Sequence, residues 1–74
     1  MGWDEEYARR LTRKVDRVLL QLHRKKYSPP RGFFARMEVL LAEKRAAYET
    51  KNMKRYEAAL NAIAASARQH LAAR

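Results

Sequence analysis

The chain has 74 residues, no cysteine, 17 basic and 8 acidic side chains and a formal net charge of +9. A chain of this size forms one domain, marginal by itself, with no disulfide or thiolate-held metal to support it. Two Gly, two Pro and thirteen Ala exclude a turn-rich all-β fold, and the positive balance excludes an acidic mimic of nucleic acid while favouring polyanionic partners.

The amino-terminal stretch MGWDEEYARR carries acids and no apolar core, so it does not read as a secretory leader. Glu6 stands where a myristoylation motif needs Ser or Thr. No apolar run approaches the length of about 18 residues that a membrane span requires. The expected compartment is therefore the cytoplasm.

Helix 1 is expected from about residue 4 to 26. Asp4 suits the N-cap, Glu5 and Glu6 suit the positive end of the helix dipole, and Arg24, Lys25 and Lys26 suit the negative end. Tyr7, Leu11, Val15, Val18, Leu19 and Leu22 fall within an arc of about 120° at 100° per residue. Arg10, Arg13, Lys14, Arg17 and Arg24 fall within a second arc of about 100°, interrupted only by Gln21. Five cations thus share one helix face over about 21 Å.

The connection YSPPRG, assigned to residues 27–32, ends helix 1, because each proline disfavours helix at the residue before it. Helix 2 is expected from about 33 to 50. Phe34, Met37, Leu41, Lys44 and Tyr48 follow a three-four rhythm, with Phe33, Leu40 and Ala47 beside them. Phe33 and Phe34 read as core or staple residues rather than as platforms for stacked bases. Lys44 is the one misfit in this stripe, its stem able to cover apolar neighbours while the ammonium reaches water. Asn52 offers an N-cap for helix 3, expected over about 52–73, where Met53, Tyr56, Leu60, Ile63, Ala67 and Leu71 form the stripe. A two-residue link makes helices 2 and 3 antiparallel neighbours.

The expected fold is all-α: a small three-helix bundle with a tight antiparallel hairpin of helices 2 and 3 in a single domain spanning 1–74. The alternative is that hairpin with helix 1 swapped onto another subunit across the stiff connection. The segment AAYETKNMKRYEAALNAI resembles one tetratricopeptide-type helical turn, a tight polar corner followed by Tyr and Ala. No second copy follows at the roughly 34-residue period of that family. The likeness is therefore read as the same hairpin packing reached independently.

Charge is unevenly placed: +4 over residues 1–27, +1 over 28–50 and +4 over 51–74. Arginine predominates on the basic face of helix 1, and its planar fork donates two hydrogen bonds to one phosphate. The expected role is a basic accessory protein contacting the backbone of DNA or RNA through Arg10, Arg13, Lys14, Arg17 and Arg24. Lys51, Lys54 and Arg55 at the helix 2–3 corner support it. The bland alternative is a solvated face. A helix-turn-helix reading would make helix 3 the reader through Lys54, Arg55, Asn61, Arg68 and Gln69. The alanines among them leave few side chains long enough to reach base edges. Insertion of Trp3 and Tyr7 into an anionic membrane competes with the need for that apolar face inside the bundle.

The contrasting class is a protein-interaction module without nucleic-acid binding. Helix 3 has Ala on nearly every side, and Leu20 and Val39 lie off the stripes, so a homodimer or a partner helix on the Ala-rich face is the matching expectation. Nothing in the sequence points to catalysis. His23 and His70 stand on different helices without an acidic neighbour, and Ser28, Ser66, Thr12 and Thr50 have no base partner in a known pattern. No glycine-rich phosphate loop and no metal-ligand spacing occur, so no cofactor and no metal are expected.

Overall fold

The computed structural model describes residues 2–25 and 31–72. They form three helices: α1 (Glu5–Arg24), α2 (Arg31–Glu49) and α3 (Met53–Ala72). The three pack as a small all-α bundle. α1 and α3 run parallel, Tyr7 meeting Glu57 at one end and Lys25 reaching the Leu71 carbonyl at the other. α2 runs antiparallel to both, with Phe33 against His70 and Tyr48 against Tyr56.

Each helix end follows from its residues. Asp4 is the N-cap of α1, its Oδ1 accepting from the Tyr7 N–H at 3.1 Å, with Glu5 and Glu6 in the first turn. α1 closes on Lys25, whose N–H bonds the Gln21 carbonyl at 3.1 Å. α2 begins at Arg31, so Arg31 and Gly32 are helical rather than part of the linker expected over 27–32. The first turn needs no intrahelical acceptors for its N–H groups, so glycine there breaks nothing. The remainder of that connection, 27–30, and residue 26 of the expected helix 1 lie outside the described residues.

The α2–α3 corner is a Schellman closure. The Asn52 N–H bonds the Ala47 carbonyl at 2.9 Å and the Lys51 N–H bonds the Tyr48 carbonyl at 3.1 Å. Lys51 takes the left-handed position, φ 54°, that glycine or asparagine usually fills. Its ammonium lies 3.9 Å from the Tyr48 ring centroid and 5.0 Å from that of Trp3, a cation–π contact that offsets the backbone strain. Asn52 then caps α3, accepting from the Arg55 N–H at 3.2 Å.

α3 is the centre of the bundle. No Cα of α1 comes within 8 Å of one in α2 among the described residues, whereas both approach α3 that closely. The alanines explain this. Ala59, Ala64 and Ala67 are buried on α3 and let two neighbouring backbones draw near, while the α1–α2 side is filled by larger Val, Leu and Phe side chains. Among the described alanines of α3, Ala58 and Ala65 are exposed and Ala62 is half-buried.

The core stripe of α3 is the expected one, with Leu60 and Ile63 fully buried. The stripe of α2 differs. Phe33, Leu40 and Ala47 are buried, and Phe34, Leu41 and Tyr48 are exposed. The two rows lie about 100° apart on the helix, and both have the correct period. Ala47 decides between them, because its small side chain allows the close approach to α3.

Trp3 folds back over the corner. It meets Tyr48 and Tyr56 edge-on, each at 5.3 Å between centroids. Its Nε1–H donates to Glu5 Oε2 at 2.7 Å, and the Tyr48 hydroxyl donates to Glu5 Oε1 at 3.1 Å. These bonds, the Trp3 bond foremost, hold the Glu5 carboxyl below its ordinary 4.5, with Lys51 and Arg9 adding attraction against some desolvation. A depressed folded-state value contributes stability above the unfolded value and loses it as pH falls through the folded one. The acid limb of a thermal-stability profile, followed through the single tryptophan, is therefore expected to flatten in Glu5→Gln. Matching acid limbs in the two proteins would refute the contribution.

Candidate nucleic-acid interface

Tyr7, Arg10, Leu11, Arg13, Lys14 and Arg17 line one shallow depression of about 350 Å³ on the outer side of α1. The helix repeat creates it: residues 10, 13, 14 and 17 are one turn apart in pairs and project from one face. Leu11 is half-buried beneath them, while all four cations are exposed. Among the described residues none of the four forms an ion pair or a side-chain hydrogen bond. The surface is thus a row of unneutralised positive charge over an apolar strip.

Arg24 shares the face but lies beyond the depression, in the last turn of α1, where its charge also complements the helix dipole. The second cluster is divided. Lys54 is exposed and lines a separate depression of about 610 Å³ with Gly2, Thr50, Lys51, Asn52, Met53 and Glu57. Arg55 is exposed one residue further on. Lys51 is exposed but its ammonium is directed over Trp3 and Tyr48, so its first role is structural.

The two clusters meet at a bond that sequence reasoning misses. The Tyr7 hydroxyl donates to Glu57, the acid on the wall of the second depression, and Tyr7 itself lines the first. That bond raises the Tyr7 pKa above its ordinary 10.0; desolvation and the charge of Glu57 add to the rise, and nearby Arg10 opposes it. Tyr7, expected in the core stripe of helix 1, is instead the exposed edge of that stripe, with Ala8 buried in its place. The available signal is its position at the limit of the apolar arc, where a phenol has one dry side and one wet end.

Thr12 and Tyr56 form the polar contact beneath this surface. Thr12 Oγ1 donates to the Ala8 carbonyl at 2.8 Å, which leaves the Tyr56 hydroxyl to donate to Thr12 Oγ1 at 2.7 Å. Among the described residues no group of three His, Cys, Asp or Glu is placed to hold a metal ion. No helix among them is long and apolar enough to cross a membrane.

The exposed residues of α3 named for base reading, Lys54, Arg55, Asn61, Arg68 and Gln69, do share its outer side. Ala58 and Ala65 lie among them, so the row has gaps where a reader helix needs reach.

Fold and surface together define a class: a small all-α bundle with a cationic outer helix. In comparisons with known proteins, no family model, no curated protein and no solved structure matches this chain.

Proposed function

We propose that the protein is a small cytoplasmic accessory factor that binds DNA or RNA through phosphate contacts on the outer face of α1. The observation that carries this reading is the depression lined by Arg10, Arg13, Lys14 and Arg17, four exposed cations without carboxylate partners among the described residues. Solubility alone does not require cations to be segregated onto one face, nor arginine to be preferred over lysine. Arg24 extends the row, and Lys54 and Arg55 supply the neighbouring cluster. The role is binding, without a catalytic step.

The expected signature is steep salt dependence. Five phosphate contacts give a slope of about −4.5 in log K against log salt, so raising salt from about 50 to about 200 mM weakens binding roughly 500-fold. Fluorescence anisotropy with labelled duplex DNA, single-stranded DNA and RNA measures it. Absence of binding to all three at the lower salt would overturn the reading. The alternative is a protein-interaction module without nucleic-acid binding, favoured by the apolar row that α2 leaves exposed.

A further inference from the structure

α2 is apolar over more of its circumference than the bundle uses. At 100° per residue, Ala47, Leu40, Phe33, Met37, Tyr48, Leu41 and Phe34 span an arc of about 140°. Burial takes Ala47, Leu40 and Phe33 at one side of that arc. At the other side Phe34, Leu41 and Tyr48 recur every seven residues and remain 57%, 43% and 41% exposed. Met37 and Lys44, both half-buried, lie between them. The sequence of positions 34, 37, 41, 44 and 48 has the three-four spacing of a helix-pairing seam. A row of this kind on a domain with so small a core is an incomplete interface rather than scattered exposed residues.

The flanking charges identify the occupant. Glu38 and Arg45, both exposed, border the seam on the side away from the core, seven residues apart. If a second α2 lies antiparallel, centred near Leu41, each Glu38 faces the Arg45 of the other copy, and the twofold axis makes the contact twice. The same register sets Phe34 opposite Tyr48 and directs Leu41 of the second copy toward the depression of about 380 Å³ lined by Leu41, Lys44, Arg45, Tyr48 and Tyr56. A parallel pairing would oppose Lys44 to Lys44 in the seam and leave Glu38 and Arg45 without this match. The surface is therefore complementary to itself in one orientation only.

We propose that the protein is a twofold homodimer held by antiparallel pairing of α2 through Phe34, Met37, Leu41, Lys44 and Tyr48, with Glu38–Arg45 contacts between copies. The basic depression of α1 is lined by none of these residues, so the dimer carries two phosphate-contacting surfaces. The pairing does not depend on those surfaces binding nucleic acid.

The test is the mass in solution of the nuclease-treated 74-residue chain across the micromolar range, by sedimentation velocity. The expected species has twice the 8.7 kDa chain mass. Leu41→Glu gives the single-chain mass, with helicity by circular dichroism retained because Leu41 lies outside the core row. Glu38→Arg alone and Arg45→Glu alone each raise the dimer Kd about tenfold, by replacing two attractions with two repulsions. The double exchange Glu38→Arg with Arg45→Glu restores the original Kd. A single-chain mass for the unaltered protein at all concentrations overturns the proposal. So does a dimer that withstands Leu41→Glu, or one in which the double exchange brings no recovery.

Discussion

Ile63→Ala is expected to lower the melting temperature by more than about 10 °C. Ile63 is fully buried at the centre of α3, in the cluster of Ala8, Val15, Leu40, Ala47, Tyr56, Leu60 and Ala64. Removing a buried branched side chain costs about 2–5 kcal/mol, the upper part applying where neighbours do not close the gap. Closing it here would require α1 and α2 to move inward against a helix whose small residues already hold them close. A domain of this length has about 4–11 kcal/mol of stability in all. Each kcal/mol shifts the midpoint by about 4–8 °C at this size. Thermal circular dichroism at fixed protein concentration measures the effect, with exposed Val39→Ala as the comparison, expected within about 0.5 kcal/mol of the parent. Equal melting of the two variants would show that α3 is not the centre of the core.

Arg13→Glu with Arg17→Glu is expected to weaken nucleic-acid binding by more than about 100-fold while helix content stays unchanged. Both side chains are exposed and neither makes a bond that the fold uses, so the bundle keeps all its packing. The substitutions remove two phosphate contacts and add two repulsive charges to the same depression. The salt slope becomes shallower by about 2, roughly one unit for each arginine that no longer meets a phosphate. Titration of labelled nucleic acid with both proteins at several salt concentrations gives affinity and slope together. An unchanged slope would remove α1 as the contacting surface. A second pair on α3, Arg68→Glu with Gln69→Glu, changes the charge by three units instead of four and tests the base-reading alternative, and the phosphate-contact reading expects it to have the smaller effect even per unit of charge.

Much of this molecule is legible in its sequence. The three helices and their caps are local matters. Asp4 and Asn52 cap because their carboxylate or carboxamide oxygens reach N–H groups three residues ahead, and no distant partner is needed. The basic face of α1 is equally local, because the helix repeat places residues 10, 13, 14 and 17 on one side whatever packs against the other. The stripe of helix 3 is legible because its large apolar residues fall on one face and alternatives with the same period are made of Ala.

Helix 2 shows where such reading stops. Rows 33–40–47 and 34–41–48 have the same period and similar hydrophobicity, so periodicity assigns neither to the core. The choice depends on which row has the smaller residue at the approach to α3, a fact about two helices at once. The position of Lys51 is of the same kind. Its charge suggests a phosphate contact, but Trp3, 48 residues earlier in the chain, lies under its ammonium only after the bundle has closed. The Tyr7–Glu57 bond likewise joins residues fifty positions apart. Sequence alone determined the three helices, the caps at Asp4 and Asn52 and the faces each helix carries, because those follow from bonds and dihedrals within a few residues, while the start of α2 at Arg31 fell two residues before the expected one. Tertiary structure alone decided which faces are buried against each other and which cations stay available, because those depend on side-chain volumes meeting across separate helices.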